Sequence, residues 1–273
     1  MIKNRLIWFA DFVDSHLCED EFINRNIELK REHTKMVCLE MQRLCEILKL
    51  DPRLTELAMI TALYHDLGRF PQIVEYRTFS DPQSCCHATE SINVMNRNSL
   101  LEGLDETDSN AIKTAVKLHN KLDFDTESLD EKQLLLTRMI RDADKIDIYR
   151  VISEAYHEYL KDPQSYNRAI GFGDFEQKKA TPEIAAAVIK GKPVLYAGVK
   201  TFTDRKLLHL GWLFQIHYDA ALNRIHSRGY IKMLLESLPD CPLCCKVRTT
   251  VESYVKNRLA LSAGIYEQKQ KIT

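Results

Sequence analysis

Nowhere does the chain approach the ~18–20 uninterrupted apolar residues that a membrane span needs. The opening stretch MIKNRLIWFADFVDSH breaks its apolar run early, at Asp11 and Asp14, and no small-residue cleavage site follows. It does not read as a signal peptide. Net charge is nearly absent: 38 Lys and Arg stand against 39 Asp and Glu, a formal −1, with a pI near 6.8. Such a balance excludes a general electrostatic pull toward nucleic acid or an acidic membrane surface. Eight cysteines in 273 residues fall short of disulfide-scaffold density. Without an export signal they are expected to be reduced thiols. We expect a cytoplasmic protein whose partners include neither membrane nor nucleic-acid scaffold. Repeats and low-complexity tracts are missing. Strand signals are few, with PVLYAGV (193–199) the best of them.

What remains is helical. Apolar residues make up 45% and charged residues 28%, the profile of a soluble globular protein with a sizeable core. Residues 32–49 carry Val37, Met41, Leu44, Ile47 and Leu48 at helical spacing. Asp51 and Pro52 suit the cap and first position of a helix that runs to about Asp66, with Gly68 as its C-terminal exit. An irregular stretch, RFPQIVEYRTFSDPQSC, follows. Further helices are expected from His87, over Ser109–His119, from Asp130 toward Tyr159, at 182–190, over 204–228 and over 246–266. The region 162–203 is less regular, with Pro163, Gly171, Gly173, Pro182, Gly191 and Pro193. The fold class is all-α. We expect a core in residues 1–160 and a C-terminal helical extension in 161–273 packed on the same core.

The stretch ALYHDLGRF (62–70) sets His65 beside Asp66 at the end of an apolar run. Aspartate is rarely buried without a partner. A salt bridge at a helix end or a metal ion would each account for the pair. His33, His87 and His119 also fall at expected helix ends or loop edges. A lone histidine in such a place is more commonly a cap or a surface residue, and His16, His157, His209, His217 and His226 keep that reading. The joint pattern is different. His33 is expected to begin a helix whose antiparallel neighbour ends at His65–Asp66, which brings the three together. Asp144 lies in the apolar stretch RMIRDADKIDI, where a lone carboxylate is costly. Imidazole and carboxylate together suit Fe, Mn, Zn, Ni or Co. His33, His65, Asp66 and Asp144 make one candidate site. His87 and His119 could hold a second ion with Asp66 as the bridge.

The order His33, His65–Asp66, Asp144 resembles the HD superfamily of metal-dependent phosphohydrolases, in the flanking text HTKMV, ALYHDLGRF and RDADKID. The similarity covers roughly residues 30–150. It implies an HD-like helical bundle, with additional C-terminal helices here, and makes those four residues ligands of a first metal. His87 (CCHATES) and His119 (KLHNK) match two extra histidines of members with a binuclear centre. The GYP motif of members that hydrolyse cyclic dinucleotides is absent, so that substrate is not carried over. The segment VLYAGVKTFTDRKLLHLGWLF resembles the tail of bacterial HD proteins of unassigned substrate.

The implied activity is hydrolysis of a small phosphorylated substrate such as a nucleotide, by a water activated by one or two divalent transition-metal ions. Besides Asp66, Arg69 and Lys145 are the candidate catalytic cations at the rim, with Arg77 and Arg141 behind them. Asp142 lies about 200° around its helix from Asp144 and should not share its site. Asp147 lies one turn on and could orient a ligand. The alternative is a non-catalytic module that keeps the fold to bind a ligand or partner; homo-oligomer formation is open to either. CPLCCK (241–246) holds a CxxC, but a structural zinc there would need further ligands.

Overall fold

Acidic caps set four of the helix starts. Asp20 accepts from the backbone of Phe22 and Ile23, Asp51 from Leu54, Asp105 from Asp108, and Asp130 forms a capping box with Gln133. The computed structural model describes residues 2–162, 164, 167–170 and 179–270, with backbone alone for 262–270. Pro163, Gly171 and Gly173 lie outside the described residues. The fold is all-α, and no strand occurs among the described residues. No described helix is long and apolar enough to cross a membrane.

The chain divides into two compact units, residues 1–171 and 172–273. The first holds α1 (Ile2–Asp14), α2 (Glu21–Leu48), α3 (Pro52–Tyr64), α4 (Arg69–Tyr76), α5 (His87–Arg97), α6 (Glu106–Leu118) and α7 (Glu131–Lys161). The second holds α8 (Pro182–Ile189), α9 (Phe202–Gly211), α10 (Asp219–Ser227), α11 (Tyr230–Glu236) and α12 (Pro242–Gln270).

Helix α7 is the axis of the first unit and packs against α2, α3 and α6. Every residue from Met139 to Asp147 is buried. A helix buried all round belongs at the centre of a core. α2 instead buries one stripe: Ile23, Ile27, His33, Thr34, Val37, Met41 and Leu44. The 3.6-residue period puts His33 on that stripe, so its imidazole faces inward with the apolar side chains. Tyr64, Phe70, Ile73, Leu57 and Met95 complete the core. Each such side chain is worth about 1.5–3 kcal/mol when removed from water. In the second unit, Asp204 ties two helix starts together by accepting from Thr181 N (2.7 Å), Thr181 Oγ1 (2.6 Å) and Thr201 N (3.1 Å).

Several boundaries differ from the sequence reading. α2 begins at Glu21, so His33 stands inside a 28-residue helix and not at its start. Residues 69–76, read as irregular, form α4. Residues 193–199 form no strand, only a short 3₁₀ turn at Tyr196–Gly198. The helix expected over 204–228 breaks at a 3₁₀ turn, Trp212–Gln215, before α10. Gly211 adjoins that break, and a Cβ there would lie 3.1 Å from Val194 N. Gly68 is not a left-handed helix exit, since its φ is −66°. Its lack of a side chain serves packing: a Cβ would lie 2.3 Å from His87 O and 2.7 Å from Ser91 N. The start of α5 rests directly on this backbone.

Candidate metal centre

Five elements deliver the six residues. α2 and α3 form a hairpin that turns back at residues 49–51. His33 lies about as far before that turn as His65–Asp66 lies after it, which puts the His33 and His65 rings 5.5 Å apart. His65 follows the last residue of α3, His119 follows the last residue of α6, and His87 opens α5. Asp144 comes from the buried middle of α7. Gly68 admits α5, and Ser91 fixes it: Gly68 N–H donates to Ser91 Oγ, whose hydroxyl donates to His65 O, both at 2.8 Å.

The six residues gather in two buried groups, each with donor atoms within 4.8 Å of one another: His33, His65 and Asp144, and Asp66, His87 and His119. In the first, Asp144 Oδ1 lies 3.1 Å from His33 Nε2 and 3.7 Å from His65 Nε2. In the second, His87 Nε2 and His119 Nε2 are 3.1 Å apart. Asp66 spans both groups. Its Oδ2 lies 3.6 Å from His33 Nε2 and 3.7 Å from His65 Nε2. Its Oδ1 lies 3.5 Å from His87 Nε2 and 3.6 Å from His119 Nε2.

The tautomers follow from the partners of the opposite ring nitrogens. His65 Nδ1 faces Ala62 O at 2.8 Å and His119 Nδ1 faces Val116 O at 2.6 Å. A carbonyl only accepts, so both Nδ1 atoms carry the proton. His33 Nδ1 faces Asp147 Oδ2 at 2.7 Å, and His87 Nδ1 faces Asp81 Oδ2 at 2.6 Å. Those carboxylates also accept, and they set the same tautomer. In the neutral rings all four Nε2 lone pairs point into the two groups. His33 Nε2, His65 Nε2 and Asp66 Oδ1 are buried with no hydrogen-bond partner among the described residues. Buried lone pairs facing lone pairs and carboxylates need a cation between them. His87 Nε2 and His119 Nε2, 3.1 Å apart, could both face one ion. The donor set therefore fits divalent transition metals in both groups.

The electrostatics agree. Burial raises Asp66 and Asp144, but neighbouring charges and hydrogen bonds outweigh it. The Lys30 ammonium, 2.7 Å from Asp66 Oδ2, leads for Asp66, and His33 and His65 lead for Asp144, so both carboxyls lie well below their usual range. Burial, with the Arg69 charge, pushes His87 down to about 3 and keeps it neutral. Burial and Lys30 lower His33, while Asp144 and Asp147 raise it by more. The field that favours a proton on His33 Nε2 favours a metal cation at the same place.

Residues 31–149 match the HD domain family. The resemblance carried by HTKMV, ALYHDLGRF and RDADKID is thereby borne out. No curated protein and no solved structure matches the chain. All six residues of the two groups lie inside the HD match. The other five histidines, Asp142 and every cysteine lie outside both groups.

The cations divide by surroundings. Arg69 Nε lies 3.6 Å from Asp66 Oδ1, while its Nη1 donates to Gln72 Oε1 (2.8 Å), Phe79 O (2.7 Å) and Asp81 Oδ1 (3.1 Å). Lys145 is buried beside Asp144. Burial and the neighbouring Arg141 push its ammonium down to about 8. Arg141 points elsewhere, donating from Nη1 to Leu118 O (2.9 Å) and His119 O (3.1 Å). It closes the end of α6 and so steadies His119. Arg77 pairs with Asp20 on the surface, away from both groups. Two residues escaped the sequence reading. Lys30 is three residues before His33, a spacing that shares one helix face. Asp81 lies in a stretch with no periodicity to mark it.

Proposed function

We propose that the chain is a metal-dependent phosphohydrolase with a two-ion centre, acting on a small phosphorylated substrate such as a nucleotide. The observation that carries this reading is the split of Asp66, one carboxylate oxygen to each histidine group. The HD match supports the reaction class. His33, His65 and Asp144 would hold one ion, His87 and His119 the other, and Asp66 both. When bound, the ions would polarise a phosphoryl oxygen and activate a water nucleophile.

The chain's own residues do the rest. Asp147 and Asp81 keep the imidazoles of His33 and His87 turned with Nε2 inward. Lys30 offsets the charge of Asp66. The Arg69 hydrogen bonds all use Nη1, which holds the guanidinium in one orientation beside Asp66. We assign it to the phosphate, where a fixed planar cation stabilises oxygen charge with little reorganisation. Lys145 is the second cation for the same anion.

The test is a screen of the metal-loaded protein against nucleotides, cyclic nucleotides and sugar phosphates. Turnover that disappears in Asp66→Ala together with bound metal is the expected result. Silence across several metals in a folded, loaded protein would replace the enzyme by a ligand-binding module.

A further inference from the structure

A second concentration of reactive side chains sits at the start of α12, in CPLCC, and the chemistry above makes no use of it. Cys241 immediately precedes the first helical residue, Pro242, and its carbonyl accepts from Cys245 N–H at 2.9 Å. Cys241 is therefore the helix cap, a place ordinarily filled by Ser, Thr, Asp or Asn. Its sulfur does the capping: Cys244 N–H points at Cys241 Sγ from 3.4 Å. Cys244 stands three residues on, a spacing that shares one helix face with Cys241. Cys244 is buried and Cys241 is half-buried. Cys245 is exposed, with its sulfur 3.8 Å from Asp240 Oδ1 and 3.6 Å from Arg248 Nη1. No cysteine belongs to a metal-holding group among the described residues. A Cys-x-x-Cys pair at a helix start, with one member half-buried and the other buried, is the arrangement of an exchangeable dithiol.

We propose that Cys241 and Cys244 form a reversible dithiol–disulfide couple that exchanges with low-molecular-weight disulfides. The two thiols are unequal. The Cys244 backbone N–H and thiol, with Arg248 adding its charge, hold the Cys241 thiol below its usual range. Burial pushes Cys244 up to about 12. Cys241 is the attacking thiolate, and Cys244 keeps its proton until the second step. The Cys241 thiolate attacks one sulfur of the small disulfide. A mixed disulfide forms at Cys241 and one small thiolate leaves. That thiolate takes the Cys244 proton. Cys244 sulfur then attacks Cys241 Sγ, the protein disulfide forms, and the second small thiolate leaves. It takes up the proton that Cys241 released on ionising. Two protein thiols are oxidised, and one small disulfide is reduced to two thiols.

The test equilibrates the full chain with mixtures of reduced and oxidised glutathione, then blocks, counts and maps the thiols. The count is expected to fall by two from the eight cysteines present and to recover with excess reduced glutathione. The missing pair should map to Cys241 and Cys244. Cys244→Ser should trap glutathione on Cys241, and Cys245→Ser should leave the disulfide unaffected. A second measurement uses the unmodified chain. Pulse alkylation of the folded, reduced protein should label Cys241 first, with a pH midpoint below that of the same cysteine in the denatured chain. Equal labelling rates in the folded and denatured chain would overturn the proposal. So would a disulfide that maps to Cys245.

Discussion

Asp66 meets four imidazoles and an ammonium through oxygens that point different ways. Oδ2 belongs to Lys30, His33 and His65, and Oδ1 to His87 and His119. The sequence made Asp66 a candidate bridge because His87 and His119 offered ligands for a second ion beside His65–Asp66. Lys30 was hidden, because nothing local tells which acid a lysine will meet across two helices. Asp147 was legible as an orienting residue, being one turn beyond Asp144 on a similar face. Asp81 was not, since the stretch that holds it has no period. These two aspartates allow a test of the orienting role. Asp147→Asn and Asp81→Asn should each lower metal affinity by about 10–100-fold while the fold persists. Titration of the metal-free protein with a transition metal, alongside circular dichroism, checks both parts. Unchanged affinity in both variants would contradict the tautomer argument.

Two backbone positions, Gly68 and Lys49, govern how neighbouring helices meet and end. Gly68→Ala would drive a Cβ into His87 O and Ser91 N, so α5 must move away. The expected cost is about 1–3 kcal/mol of stability, as for overpacking elsewhere. His87 should be displaced with α5, weakening the second metal group more than the first. Urea unfolding and metal titration read the two effects separately. Lys49 ends α2 with φ at 52°, a left-handed conformation that favours glycine. Lys49→Gly should raise stability by about 0.5–1 kcal/mol in the same unfolding experiment. Caps and periods made much of the element pattern readable. Asp51–Pro52 and Asp130 act within four residues, and the structure starts α3 and α7 there. The first third of α2 was missed because EFINRNIELKRE is mostly polar, with Phe22, Ile23, Ile27 and Leu29 its only apolar residues. The close approach of Gly211 to Val194, beside the break after α9, has no local signature in the sequence.

At the scale of the whole molecule, the HD match lies within the first compact unit, and the cysteine pair lies in the second. Asp108 joins three helices of the first unit. Arg53 of α3 donates to its Oδ2 (2.6 and 2.9 Å), and Lys132 of α7 donates to Oδ1. Burial raises the Asp108 carboxyl, but Lys132 and Arg53 outweigh it and hold the group below its usual 3.8. Its contribution to stability is therefore present above about pH 4 and is lost as the pH falls through the lower folded-state value. Unfolding free energy measured against pH should show that acid loss in the parent chain and a smaller one in Asp108→Asn. The central claim is a two-ion centre bridged by Asp66. Its most direct measurement is the number of transition-metal ions retained per folded chain after loading and desalting. About two per chain are expected, as in two-metal phosphoester hydrolysis. A folded protein that retains one ion or none would contradict it.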